Sequence, residues 1–275
     1  MNHSEVFGDH KPIIGMVHLD PLPGAPGADG LTAVLDAALR DAERLTAGGV
    51  DGLMIENYGD SPFYPEAVPK HTVASMTRVA SAVSEAVDCP LGINVLRNDA
   101  EAALSVAAAV KADYIRINVH TGAAVTDQGL IEGQAHQTLR LRDRLGVETT
   151  IMADVDVKHA APLGGKRPVG ATVGDLVERG HADGVILSGP ETGQSVDMTA
   201  LRRAVASRDE RGLSTPVLVG SGVTAESVTQ LLPVADGAIV GTAFKENGRT
   251  TNPVDVDRVE KLMNTVAECR DHSSA

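Results

Sequence analysis

Two glycine-containing turns near the end of the chain carry the clearest chemical signal. Residues 219–224 read VGSGVT and residues 240–245 read VGTAFK, and each segment leaves a short apolar run. Glycine lets a phosphate group approach the backbone, whose N–H groups then donate to its oxygens. The alternative is that these glycines only make tight turns, and Lys245 either adds positive charge or points to solvent. The predicted phosphate-binding residues are Gly220, Ser221, Gly222, Gly241, Thr242 and Ala243.

A second candidate group lies in the apolar run 149–157. If the chain stays extended, alternation places Asp154, Asp156 and Lys158 on one face. A buried carboxylate is costly without a partner, and Lys158 is a natural partner for Asp154. Asp154 would then be a general acid or base, and Lys158 would stabilise charge or form a Schiff base. The alternative is a structural ion pair at the rim of the sheet.

Polar side chains also occur where four other apolar runs end. We expect Glu56 and Asp154 to act as an acid and base pair whose different environments set their pKa values apart. Arg116 lies deeper than its neighbours and would need a carboxylate partner. The alternative is an internal hydrogen-bond network. The residues assigned to substrate binding in this layer are His18, Asn94, Arg116 and Asn118.

Two loops are rich in glycine and lack apolar periodicity. Segments 158–170 and 189–197 are interpreted as a lid that closes over a ligand, with solvated loops as the alternative. Lys166 and Arg167 would meet an anionic ligand. The further substrate-binding residues assigned to these loops are Thr192 and Gly193.

Metal chemistry has weak support in the sequence. His18, Glu56, Asp154 and His159 are suitable ligand types, but they show none of the common metal-binding spacings. We therefore expect no cofactor, with a divalent metal as the weaker alternative. A Ser-His-Asp triad is disfavoured because the sequence lacks a GxSxG elbow.

Eight short apolar runs alternate with eight amphipathic segments along the chain. This alternation predicts βα units and a single (β/α)8 barrel over residues 1–275, with 1–11 and 270–275 as frayed ends. A doubly wound open sheet is the rival, but the first strand is not followed by a GxGxxG fingerprint. The runs are 13–19, 52–57, 91–96, 114–119, 149–157, 184–189, 216–222 and 237–243, and the helices are 32–47, 73–87, 99–111, 134–145, 173–179, 198–209, 225–232 and 254–269.

The turns before several strands share an aspartate, which we expect to turn the chain at the bottom of the barrel. The long loops all follow strands, at the end of a barrel where active sites lie. The aspartates are Asp51, Asp113, Asp183 and Asp236.

Composition excludes several classes of partner. The 275 residues have a formal net charge of -13 and six aromatic side chains, which disfavours a nucleic-acid partner. No apolar run is long enough for a membrane helix, and two distant cysteines make no disulfide framework, so a cytoplasmic location is expected. Asp outnumbers Glu by 22 to 15 and Arg outnumbers Lys by 17 to 7, which indicates either salt adaptation or ordinary acidic drift.

Several segments together resemble the BtpA/SgcQ family across nearly the whole chain. The resemblance implies a (β/α)8 barrel and does not imply a particular reaction. The family is named for a cyanobacterial factor needed for photosystem I biogenesis, and another branch belongs to a sugar-transport operon. The segments are IGMVHL at 14–19, ENYGD at 56–60, GINVLRND at 92–99, YIRINV at 114–119, ADV at 153–155 with Lys158 and His159, and Gly193.

The residues favour an enzyme that acts on a small phosphorylated sugar or nucleoside-derived ligand. The reaction would be proton abstraction with isomerisation, epimerisation or bond cleavage, of the isomerase or lyase type. The alternatives are a non-enzymatic assembly factor, as in photosystem I biogenesis, and a ligand-binding protein without turnover. A homo-oligomer is expected.

Overall fold

Eight parallel strands close into a barrel in the computed structural model, which describes residues 3–8, 10–157, 160–165, 167–189 and 194–273. Each predicted apolar run contains one barrel strand, so the (β/α)8 prediction is confirmed. Around the barrel the order is β1-β2-β3-β4-β7-β9-β10-β11, with β11 pairing back to β1. The barrel strands are β1 Ile13–His18, β2 Gly52–Glu56, β3 Leu91–Asn94, β4 Tyr114–Ile117, β7 Thr150–Asp154, β9 Gly184–Leu187, β10 Val217–Val219 and β11 Gly237–Val240.

Helices follow the barrel strands and pack around them. Their apolar faces and the outward-facing strand residues form the main hydrophobic core. In the described residues, no helix combines the length and apolar character needed to cross a bilayer. The helices are α1 His3–Phe7, α2 Leu31–Ala47, α3 Lys70–Ala86, α4 Ala100–Val110, α5 Ala135–Leu145, α6 Val169–Gly174, α7 Met198–Glu210, α8 Val228–Leu231 and α9 Val256–Ser273, with a π turn at Asp175–Arg179 after α6.

Four aspartates tie neighbouring strands together at the bottom of the barrel. Each precedes one strand and accepts a hydrogen bond from an N–H at the start of the strand before it in the barrel. The prediction that these residues turn the chain at the barrel bottom is therefore confirmed. The bonds are Ile13 N to Asp51 Oδ2 at 2.6 Å, Leu91 N to Asp113 Oδ2 at 2.8 Å, Ile151 N to Asp183 Oδ2 at 2.9 Å and Val217 N to Asp236 Oδ2 at 2.8 Å.

Helices occupy described residues within both terminal segments that were expected to fray. Helix α1 places Phe7, 4% exposed, against Tyr114 with ring centroids 5.5 Å apart. Glycine at position 92 permits this packing, because a Cβ there would lie 2.0 Å from the Tyr114 ring. At the other end α9 runs to Ser273, and Arg270 binds the Asp51 carboxylate at 2.6 Å. Burial of the Phe7 ring and a half-buried ion pair stabilise these helices against fraying.

A small antiparallel sheet is built from two connecting segments, one between β4 and α5 and the other between β7 and α6. Strands β5 Ala123–Thr126 and β6 Gly129–Glu132 form a hairpin, and β8 Ala160–Pro162 pairs with β5 on the other side. On the inner face of this sheet, Ala124 and Ile131 pack against Val119. These strands follow β4 and β7, so the sheet lies at the same end of the barrel as the candidate site.

Candidate functional site

A cavity of about 660 Å³ opens at the carboxyl ends of the barrel strands. Loops from opposite sides of the barrel form its walls, which contain both glycine turns and ionisable side chains. Ten residues singled out from the sequence line it, so the barrel brings most of the predicted set together. They are His18, Glu56, Arg116, Asn118, Gly220, Ser221, Gly222, Gly241, Thr242 and Ala243.

Asp154 lies beneath this cavity and does not line its wall. Its side chain is 1% exposed, and its carboxylate accepts bonds from Arg116 Nε and Nη2, both at 3.0 Å. Asn118 Nδ2 donates a third bond at 2.7 Å. These bonds engage both carboxylate oxygens. The geometry therefore favours a structural ion pair over the acid–base role, with Arg116 as a partner of Asp154.

The expected alternation along β7 is wrong beyond Asp154. The strand ends at that residue and the chain bends, so Asp156 is exposed while Asp154 is buried. The two carboxylates therefore do not share a face. The predicted residues that lie outside the described part of the chain are Lys158, His159, Lys166, Thr192 and Gly193.

Arg116 is the buried cation of the cavity wall. Burial alone would lower its pKa, but the carboxylates of Asp154 and Glu56 outweigh that effect and raise the pKa above its usual value. Asn94 donates from Nδ2 to the Arg116 carbonyl oxygen at 3.0 Å and is itself buried. Asn94 thus supports the strand that presents Arg116, and does not line the cavity.

Glu56 and His18 form the ionisable pair that does face the cavity. His18 Nε2 and Glu56 Oε1 are 3.8 Å apart, and the Tyr58 ring packs on His18 with centroids 5.0 Å apart. Gly241 makes room for this imidazole, because a Cβ at position 241 would lie 2.6 Å from His18 Cε1. A separation of 3.8 Å is longer than a hydrogen bond, so a proton would pass between the two groups only through a bridging group.

The two predicted phosphate turns lie side by side in the cavity wall, and the second turn contacts His18 through Gly241. Gly222 has φ of 67°, and Thr242 begins a single 3₁₀ turn that ends at Phe244. The backbone N–H groups of Gly222, Thr242 and Ala243 donate to no described residue. A hydrogen bond of 2.9 Å between the hydroxyls of Thr242 and Thr250 holds the second turn. Neighbouring N–H groups that donate to no described residue are suited to an oxyanion.

The Ser221 hydroxyl is engaged by the loop after β9. It accepts from Gly189 N at 2.7 Å and donates to Gln194 O at 3.2 Å. The Gln194 backbone also crosses Gly222 so closely that a Cβ there would lie 2.4 Å from the Gln194 oxygen. Ser221 and Gly222 therefore fasten this loop to the first phosphate turn.

Lys245 follows neither prediction made for it. Its side chain is 1% exposed, and its Nζ lies 2.5 Å from Asp41 Oδ2. The second Asp41 oxygen accepts from Val254 N at 2.9 Å. The pairing of Lys245 with Asp41 could not be predicted from the sequence, because Asp41 lies on α2, about two hundred residues earlier in the chain. Lys245 lines a second cavity of about 320 Å³, which shares His18 with the first.

Arg97 also lines the cavity, and no role was predicted for it from the sequence. It follows β3 by three residues, within the GINVLRND segment.

Among the described residues, no group of three or more His, Cys, Asp or Glu side chains is placed to hold a metal ion.

The fold and the cavity define a (β/α)8-barrel protein with a polar cavity at the carboxyl ends of its strands. The chain belongs to the BtpA family, whose model matches residues 9–268. An uncharacterized protein of Thermococcus kodakarensis is 48% identical over 266 residues, covering 96% of this chain and 98% of that one. Photosystem I biogenesis protein BtpA of Synechocystis is 44% identical, covering 98% and 92%. Putative sgc region protein SgcQ of Escherichia coli is 34% identical, covering 97% and 98%.

Solved structures resemble the chain in fold. N-(5'-phosphoribosyl)anthranilate isomerase from Pyrococcus furiosus matches with a TM-score of 0.59 at 15% identity, covering 94% of this chain and 100% of that one. The native KDPGal structure matches with a TM-score of 0.56 at 14% identity, covering 94% and 95%. At these identities the likeness concerns the barrel alone.

Proposed function

We propose that this BtpA-family barrel is an enzyme that acts on a small phosphorylated sugar or nucleoside-derived substrate. The observation that carries the proposal is the cavity itself, in which two turns whose N–H groups donate to no described residue lie near an ionisable pair. Such a cavity holds one end of a small ligand by its charge and exposes the other end to proton transfer.

The phosphate group is assigned to the turns after β10 and β11. Backbone N–H groups of Gly222, Thr242 and Ala243 would donate to its oxygens. Arg258 and Lys261 of α9 also line the cavity at this end and add positive charge. Their presence is favourable because the chain as a whole is acidic.

The proton transfer is assigned to Glu56. Its carboxylate would remove a proton from a carbon next to a carbonyl or hydroxyl group, and His18 beside it would return or relay that proton. Arg116 would stabilise the negative charge that develops on the substrate oxygen. Asp154 acts through Arg116, because it fixes the guanidinium from below. A role for Lys158 in charge stabilisation or imine formation stays part of the proposal on the basis of the sequence.

Placing a negative charge at the second turn is expected to abolish phosphate binding. Ala243→Glu puts a carboxylate beside the proposed oxyanion, so the affinity for inorganic phosphate and glycerol phosphate should fall by at least about tenfold. Ala243→Gln has nearly the same volume without the charge and should retain most of the affinity. Position 243 is preferred to 222, where a side chain would collide with the Gln194 backbone.

Isothermal titration calorimetry at constant ionic strength measures this difference. Equal phosphate affinity in the glutamate and glutamine variants would place the phosphate elsewhere. A screen of phosphorylated sugars and nucleotides for thermal stabilisation would then supply the substrate, because a ligand that binds the folded state raises its Tm. A stabilising ligand that the protein never converts would favour the binding protein without turnover.

An assembly role is the second candidate, and one surface favours it. Val125, Leu130 and Leu163 are 48%, 48% and 61% exposed on the outer side of the small sheet. Exposed apolar side chains that cluster on one face are typical of interaction sites. If this face joins copies of the chain into the proposed homo-oligomer, Leu130→Glu should lower the mass measured by light scattering without altering phosphate binding.

A further inference from the structure

Two aromatic side chains, Tyr58 and Phe63, lie on the wall of the main cavity. The chain has three Tyr, three Phe and no Trp, so aromatic rings are scarce. Three of the other four are buried in apolar clusters, and the fourth, Tyr64, is 50% exposed. The cavity wall therefore has an aromatic part in a chain that has few rings to place there.

Phe63 differs from the core aromatic residues in what surrounds its ring. It is half-buried, but it belongs to none of the three apolar clusters that the described residues form, and it makes no ring contact with them. A phenyl ring on a cavity wall outside any apolar cluster presents apolar surface to the cavity. A ligand group that covers this surface is stabilised by the hydrophobic effect and by stacking.

Hydrogen bonds hold the backbone on both sides of Phe63. On one side, Asp60 Oδ1 accepts from Leu22 N at 2.8 Å. On the other side, the Tyr64 carbonyl oxygen accepts from Arg97 N at 3.1 Å. Because this short segment is fixed at both ends, the ring is in place before a ligand arrives, which lowers the entropy cost of binding.

Consecutive contacts connect the second phosphate turn to the aromatic part of the wall. Gly241 of that turn lies against His18, and the His18 ring packs on Tyr58 with centroids 5.0 Å apart. A ligand that reaches from the turn to the aromatic rings therefore passes His18. The cavity of about 660 Å³ has room for such a ligand, since sites for drug-sized ligands have volumes of roughly 300–1,000 Å³.

We infer that the substrate is a nucleotide whose base stacks on Phe63 while its phosphate lies in the turns after β10 and β11. Its sugar then lies beside His18, where the proposed proton transfer takes place. The inference rests on the proposed function and selects the nucleoside-derived member of its two substrate classes. Phe63 becomes a specificity-determining residue, because a sugar phosphate without a base would leave the ring uncovered.

A comparison of nucleoside 5′-monophosphates with ribose 5-phosphate tests this inference. The two kinds of probe share the phosphate and the sugar, and they differ in a base or a hydroxyl group at the first carbon of the sugar. At least one of the adenine, guanine, cytosine and uracil nucleotides should bind about ten- to a hundredfold more tightly than ribose 5-phosphate in calorimetry, as expected for base–aromatic stacking.

Phe63→Leu keeps an apolar side chain but removes the aromatic face, so it should remove most of that preference and leave the affinity for inorganic phosphate unchanged. Tyr64→Leu is the matched control, because Tyr64 is the neighbouring aromatic residue and is not among the described residues that line the cavity. This variant should keep the preference. Both variants should melt close to the wild-type Tm, since neither ring belongs to an apolar cluster of the described residues.

Phe63→Trp provides a second readout, because the introduced indole is the only one in the chain. It keeps an aromatic face, so the nucleotide preference should survive. The preferred nucleotide should quench the indole fluorescence along a saturable curve, whereas ribose 5-phosphate should leave it nearly unchanged. The indole of Tyr64→Trp should respond to neither probe.

An affinity for ribose 5-phosphate equal to that for all four nucleotides, or a nucleotide preference that Phe63→Leu leaves intact, would overturn the inference. Failure of the wild-type protein to bind inorganic phosphate contradicts the proposed phosphate turns instead. In that case nucleosides that lack a phosphate should still quench the indole of Phe63→Trp. The two ideas therefore fail by different results.

Discussion

Asp154→Ala is expected to lower the free energy of unfolding by about 3–5 kcal/mol, because it leaves the buried Arg116 without its counter-charge. For a barrel of this size the Tm should fall by roughly 10 °C. Asp154 receives two bonds from Arg116 and one from Asn118, so one substitution removes three charge-assisted bonds. Circular dichroism during heat and urea denaturation measures both quantities.

Two further variants separate charge from volume. Asp156→Ala, two residues along the same segment but exposed, should change stability by less than about 0.5 kcal/mol. The double variant Asp154→Leu with Arg116→Met replaces the ion pair by apolar side chains and should recover much of the loss. If Asp154→Ala and Asp156→Ala are equally stable, Asp154 does not hold Arg116 and its acid–base role has to be reconsidered.

Glu56→Gln is expected to reduce turnover of the sugar phosphate substrate by about 10²–10⁴-fold, the usual contribution of a general acid or base. Glutamine keeps the volume and the hydrogen-bonding shape but cannot accept the proton. The Kd for inorganic phosphate should stay unchanged, since Glu56 lies on β2 and is not part of the turns that bind phosphate. Steady-state kinetics together with calorimetry measures the two effects separately.

Glu226→Gln is the matched control for this substitution. Glu226 lines the same cavity but is exposed and pairs with Lys261 at 3.6 Å. Its replacement should leave turnover nearly unchanged. A large loss in Glu226→Gln combined with an active Glu56→Gln would move the proton transfer to the rim and contradict the role proposed for Glu56.

The sequence predicted the barrel well because two simple periodicities determine it. Short apolar runs between amphipathic helices are typical of strands buried on both faces, and each run contained one strand. The aspartate before alternate strands was recognisable because the same turn recurs four times. Helix α1 was not predicted, since Phe7 has no periodic context in the sequence and is buried through tertiary contacts such as that with Tyr114.

The candidate site was predicted as a set of residues and less well as a set of contacts. Polar residues at the ends of apolar runs indicated where the strands end, so His18, Glu56 and Arg116 were predicted as site residues. The pairing of Asp154 with Arg116 was not predicted. Arg116 comes from the neighbouring strand β4, and the alternation along β7 stops at Asp154, where the strand ends. Arg97 was missed for a related reason: its place depends on Asn57, which fixes Leu96 through bonds between two loops.

The central claim is that the turns after β10 and β11 bind the phosphate of the substrate, and a titration followed by NMR tests it most directly. Inorganic phosphate added to ¹⁵N-labelled protein should shift the backbone amide resonances of Gly222, Thr242 and Ala243 along one saturable curve, because those N–H groups would donate to the phosphate oxygens. The same amides should stay unmoved in Ala243→Glu. Amides that stay fixed throughout the wild-type titration, or shifts centred on Thr250 and Asn252 of the second cavity, would contradict the account.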